Sequence, residues 1–140
     1  MGKINMGRVL LGGLVAGLIL NIGEFVLNEK VLGPQMKEFF KTHLFHEPGK
    51  NFIIVAVAMT FVTGVVIVWL YALIRPRCGP GPMTAIVAAV IAWFGIYLYS
   101  GVINGMLFGI PMNTMLFVCV WGFVEYALAA LVGGALYKED

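Results

Sequence analysis

This 140-residue sequence predicts an all-α fold, an integral membrane antiparallel four-helix bundle. Three observations predict it. Four apolar runs cover about residues 9–28, 52–74, 84–105 and 114–137, and each has about the 20 residues a helix needs to cross a hydrocarbon core. Only two carboxylates, Glu24 and Glu125, lie well inside those runs. Each run also carries one stripe of small or polar residues at helical spacing, with Leu, Ile, Val and Phe elsewhere. Irregular backbone cannot face lipid, and no run alternates like a barrel strand, so the runs are expected to be helices.

Composition agrees. Hydrophobic residues make up 61% of the chain and charged residues 11%, against about 25% charged in a soluble domain. A single four-span domain over residues 1–140 is expected. The net charge of +2 and the lack of a basic stripe argue against a nucleic-acid partner. Lys3 and Arg8 before the first run imitate a signal peptide. The run is longer than a signal core and no small-x-small pattern closes it, so a retained span is expected.

The first span holds Gly13, Gly17, Asn21, Glu24 and Asn28 within about an 80° arc of a regular helix. Gly13 and Gly17 form a small-xxx-small pair that lets another helix approach closely. Residues 29–51 read as a longer loop with its own short helix. There Pro34 suits a first turn, and Met36, Phe39, Phe40, His43 and Leu44 share one face opposite Lys37, Glu38, Lys41 and Thr42. Such an amphipathic helix is expected to lie at the membrane interface.

The second span offers Ala56, Thr60 and Gly64, and ends in a predicted turn over 75–83, RPRCGPGPM, dense in helix breakers. Trp93, Tyr97, Ser100 and Asn104 fall within about a 60° arc of the third. A short turn with Gly109 and Pro111 follows, and Asn113 or Thr114 is expected to cap the fourth span. That span aligns Gly122, Glu125, Ala129 and Gly133. Packing is assigned to Gly13, Gly17, Gly64, Gly122 and Gly133, and an intramembrane polar set to Asn21, Glu24, Asn28, Tyr97, Ser100, Asn104 and Glu125. Cys78 and Cys119 are expected at different depths, as free thiols.

An acid at mid-helix costs roughly 2–3 kcal/mol on insertion scales, so Glu24 and Glu125 need an explanation. They are either proton or cation carriers or hydrogen-bond anchors between helices. Helical rise puts them about 10–14 Å apart in depth, too far for a close acid pair, and this favours the anchor reading. Arg75 and Arg77, at a span end, are expected to anchor at the membrane surface. Counting Lys and Arg gives five on the side of the termini and four on the other, which places both termini in the cytoplasm.

His43, His46 and Glu47 form H-x-x-H-E, a weak metal pattern without the spacing of a zinc protease. No metal or other cofactor is expected, although a surface pigment or haem held by His43 or His46 is left open. No catalytic residue is assigned: Ser100 is the only serine, and both histidines lie in a distant loop.

The segments GRVLLGGLVAGLILNIGEFVLN, RPRCGPGPMTA and VWGFVEYALAALVGGALYKE resemble a group of uncharacterised four-span bacterial membrane proteins, over nearly the whole chain. The resemblance implies a protein of the bacterial inner (cytoplasmic) membrane and transfers no activity. Within those segments it directs attention to Asn21, Glu24, Arg75, Arg77 and Glu125.

The leading expectation is a non-catalytic accessory or structural subunit, packing its helices against membrane lipids and other membrane subunits. The alternative is a small homo-oligomeric proton, cation or small-solute transporter using Glu24 and Glu125. A third class, an enzyme acting on a lipid or quinone-like substrate, lacks a basic substrate-binding cluster within the spans.

Overall fold

The computed structural model describes residues 3–42 and 49–138, so His43, His46 and Glu47 lie outside the described residues. Five helices follow in order: α1 (Met6–Val31), α2 (Gly33–Thr42), α3 (Lys50–Cys78), α4 (Pro82–Leu107) and α5 (Met112–Leu136). All but α2 are long and apolar enough to cross a membrane. No strand occurs among the described residues. The protein is a multi-pass membrane protein, an all-α bundle of four spans with one short helix between the first two.

Local chemistry sets the ends. The Asn5 side chain accepts from the Arg8 N–H at 3.1 Å and caps α1. Helix α3 overruns the predicted turn and continues through Pro76 to Cys78. Proline removes one backbone donor, but here it falls in the last turn, where little helix remains to disrupt. The Gly79 N–H then closes on the Arg75 carbonyl at 2.8 Å. The reversal shrinks to Gly79-Pro80-Gly81, with positive φ at both glycines (81° and 134°), a conformation that disfavours any side chain. Pro82 opens α4, where its missing N–H does no harm. Helix α5 starts at Met112 behind Pro111, not from a cap at Asn113 or Thr114; the Asn113 side chain accepts from the Thr114 N–H inside the first turn.

Consecutive spans run antiparallel. Helices α1 and α4 occupy opposite corners, each packed on both α3 and α5. The bundle has two unlike ends. The terminal end holds both described termini and the Gly79–Gly81 turn. Its core is fully buried and mostly small, including Ala16, Ala88, Ala89, Ala129 and Ala130 beside Val9, Ile67 and Val68. Lipid gives helices no hydrophobic reason to associate, so close backbone approach must hold them. A Cβ on Gly64 would stand 2.5 Å from the Gly13 carbonyl oxygen, and one on Gly133 would stand 2.9 Å from that of Gly12. Two tyrosines seal this end. Tyr71 Oη accepts from the Gly81 N–H at 3.2 Å and Tyr137 Oη from the Asn5 N–H at 3.3 Å. The two rings meet edge-on at 6.0 Å, and the Arg75 guanidinium lies 5.6 Å above Tyr137.

The loop end is looser. No residue of α3 before Gly64 is buried, and Phe52, Ile53, Val55 and Met59 are all more than half exposed. Helix α2 leans toward the turn between α4 and α5, where Gln35 Nε2 donates to Thr114 Oγ1 at 3.0 Å.

Candidate intramembrane carboxyl site

Glu24 and Glu125 meet where the tight and loose ends join. Their carboxyl groups lie within hydrogen-bonding reach of each other. This overturns the separation expected from sequence, for two reasons. First, α1 and α5 are staggered. Glu125 packs against Gly23, where a Cβ would lie 2.6 Å from Glu125 Oε2. From that level α5 continues 13 residues to Met112, about 19 Å, whereas α1 continues only eight to Val31, about 12 Å. Helix α1 therefore ends deeper than α5, and Glu24 lies deeper than one turn below the surface. Second, side chains lean toward the N-terminus of their own helix. In an antiparallel pair those directions oppose, so the two carboxyl groups lean toward each other.

Glu125 is 4% exposed and Glu24 is half-buried. Glu24 Oε2 accepts from Asn28 Nδ2 at 3.1 Å, and the Tyr97 hydroxyl from α4 is in hydrogen-bonding reach of the same carboxyl. The remaining oxygens, Glu24 Oε1 and both of Glu125, are buried and lack a well-formed hydrogen bond. The Trp121 indole is also within hydrogen-bonding reach of the Glu125 carboxyl, while its N–H donates to the Gly23 carbonyl at 3.2 Å. The Tyr97 ring packs against Gly122, where any side chain would collide with it, and meets Tyr126 edge-on at 5.5 Å. No lysine, arginine or histidine touches the pair among the described residues. Helix α3 carries no charged residue between Lys50 and Arg75.

Two wide helical turns frame this site. Residues Val26–Val31 of α1 and Trp93–Leu98 of α4 are π-helical, with the Leu32 N–H bonded to the Leu27 carbonyl at 2.8 Å and the Tyr99 N–H to that of Phe94. Each such turn adds about one residue and rotates everything after it by about 100°. One begins two residues after Glu24 and the other holds Tyr97. This separates the polar stripe predicted on the third span. Trp93 and Tyr97 face α5, and the Trp93 indole donates to the Cys119 carbonyl at 2.9 Å. Ser100 bonds back to the Ile96 carbonyl at 2.6 Å, and Asn104 is exposed.

The other assigned residues divide by face. Gly13 and Gly17 meet α3 at Val65 and Phe61, and Gly64 meets both glycines in return. Asn21 donates to the Gly17 carbonyl at 2.9 Å and reaches that of Val57 at 3.5 Å, so it stays on the α3 seam. Arg75 and Arg77 sit at the end of α3, with Arg77 exposed. Cys78 is exposed and Cys119 buried, both as free thiols.

Sequence reasoning missed Gly12, Gly23, Trp121 and Tyr126. The signal for the first two was present: Gly12, Ala16, Leu20 and Gly23 repeat the spacing of Gly13, Gly17, Asn21 and Glu24 one position earlier, and this second stripe faces α5. Trp121 stands one turn before Glu125 on the same helix.

Ionised carboxylates are acceptors only. Two of them in contact are satisfied by a proton held on one, or by a cation between them. A metal cage is not built, since no group of three or more His, Cys, Asp or Glu side chains occurs among the described residues. Comparison with protein-family models, curated proteins and solved structures gives no match to this chain.

Proposed function

We propose that the protein is a small proton carrier of the bacterial inner membrane, and that the Glu24–Glu125 pair holds the transferred proton. One observation carries this reading: two buried carboxyl groups lie within reach of each other at the junction of the helices, three of their oxygens lack a well-formed hydrogen bond, and no cationic side chain balances them. Ionisable residues inside spans are rare and costly, and they mark proton relays and ion pathways by default. The reading of the two acids as separate hydrogen-bond anchors drew on an expected separation in depth, and the two carboxyl groups are not separated in that way.

The arrangement suits a proton better than a larger cation, because the carboxyls lie within hydrogen-bonding reach of each other and Gly23, Trp121 and Tyr97 crowd them. The packed terminal end leaves a single chain no evident water route, so a crossing requires that end to move or copies of the chain to cooperate.

The test is proton flux in liposomes holding the purified protein, read with a pH-sensitive dye. The parent is expected to carry protons and Glu125→Gln to carry none, with helix content unchanged. Absence of flux in the parent would return the protein to the accessory class, where co-purifying membrane subunits become the relevant measurement.

Orientation belongs to the same proposal. Lys3, Arg8, Arg75, Arg77 and Lys138 lie toward the terminal end, and Lys30, Lys37, Lys41 and Lys50 toward the loop end. The five-to-four count of Lys and Arg, with Arg75 and Arg77 directly at a span end, supports a cytoplasmic terminal end. A membrane-impermeant thiol reagent is then expected to reach Cys78 from the cytoplasmic side alone.

A further inference from the structure

We infer that the carboxyl pair exchanges its proton with the loop end only, by way of Glu24 and Asn28; the inference rests on the pair being proton-bearing. The two directions out of the site are unequal. Toward the loop end, Glu24 Oε2 accepts from the exposed Asn28 side chain at 3.1 Å. Asn28 precedes Glu29 and Lys30, two exposed charged side chains. They lie five and six residues beyond Glu24, about 7–9 Å along the helix axis. Toward the terminal end, Lys138 lies 13 residues beyond Glu125, about 19 Å along the helix axis. That length is filled by Leu20, Ile67, Val68, Ala88, Ala129 and Ala130, all fully buried or nearly so. A proton has no acceptor to move to among them.

The groups able to exchange or bias the proton are few. Helix α1 supplies Glu24, with Glu29 and Lys30 beyond it. Helix α4 supplies the Tyr97 hydroxyl, and α5 supplies Glu125 and Tyr126. Helix α3 supplies no titratable side chain between Lys50 and Tyr71. Glu24 is the one acid within reach of the buried Glu125 carboxyl among the described residues, so Glu125 exchanges its proton outward through Glu24. Asn28 orders the outer side of that contact, bonding both the Glu24 carboxyl and the Glu24 backbone carbonyl, the latter at 2.9 Å.

The experiment uses the full chain in liposomes, with orientation read from Cys78 and an impermeant maleimide. A lipid-soluble carbodiimide modifies protonated carboxyls, and mass spectrometry reads adducts on Glu24 and Glu125. The pH is raised in one compartment at a time before the reagent is added. Adduct formation is expected to fall when the loop-end pH is raised and to persist when only the Cys78-end pH is raised. Asn28→Leu, at an exposed position, is expected to slow the loop-end response while preserving the final adduct yield at low pH. A response to the Cys78-end pH, alone or equally with the other, overturns one-sided access and leaves the proton carrier standing. Labelling that is absent or indifferent to both pH steps overturns both.

Discussion

The terminal and loop ends are built from the same four helices, yet one is locked and the other is not. At the terminal end α3 meets α1 through Gly64, Gly13 and Gly17, and meets α5 through Val68 against Gly133. At the loop end α3 presents Phe52, Ile53, Val55 and Met59, and buries none of them. Large apolar side chains are as comfortable in lipid as against another helix, so they supply no closure. Closure comes from small residues that let backbones touch. The acid pair lies at the boundary, where packing is dense enough to bury Glu125 but open enough to leave Asn28 exposed.

The strongest test of this contrast is Gly64→Val. The new side chain would enter the backbone of α1, which cannot yield as a side chain does, and overpacking of this kind costs about 3 kcal/mol. The protein is expected to lose its cooperative thermal transition in detergent. Gly95→Ala on α4 is the control, because a Cβ there meets nothing within 4 Å. Equal loss of stability from both substitutions would break the claim that glycine contact closes one end.

A second test concerns the boundary. Glu24→Gln and Glu125→Gln keep the shape of the carboxyl and add a donor. Combined in a double-mutant cycle, touching groups should show a coupling of about 0.5–2 kcal/mol in unfolding by denaturant, whereas groups a turn or more apart should simply add. Additive behaviour would restore the separated acids that helical rise alone suggests.

That contrast between rise and structure also shows how far the sequence could be read. The four spans, the short helix after the first and the small-residue seams follow from run length and from spacing at 100° per residue, because lipid admits few alternatives. The packing glycines Gly13, Gly17 and Gly64 needed nothing more. The site itself did not follow from those rules. Glu24 and Glu125 are 101 positions apart, and their meeting depends on the stagger of α1 against α5, which no local spacing encodes. Asn104 was placed inside because a regular helix would carry it to the face of Tyr97. The π-turn at Trp93–Leu98 rotates it to the outside, and the apolar sequence WFGIYL carries no mark of that extra residue. The end of α3 was set too early for a related reason. Proline was weighed as a breaker without asking how much helix was left to break.

The smallest expected effect lies at the sealed end. Tyr71→Phe removes the hydroxyl that accepts from the Gly81 N–H and leaves the ring against Gly134 and Tyr137 in place. One hydrogen bond at a helix junction is worth about 0.5–1 kcal/mol, so a small drop in the midpoint of thermal unfolding is expected. The informative readout is the acid pair. If the terminal end acts only as a plug, the plug consists of the alanine and glycine layers between Glu125 and the tyrosines. Loosening its outermost hydrogen bond should then leave carbodiimide labelling of Glu24 and Glu125 as dependent on loop-end pH as before. A variant that became sensitive to pH at the Cys78 end would place the barrier at the tyrosine seal instead of the packed helices. The Gly79-Pro80-Gly81 turn, which holds Tyr71 in position, would then be the part of the molecule that controls access.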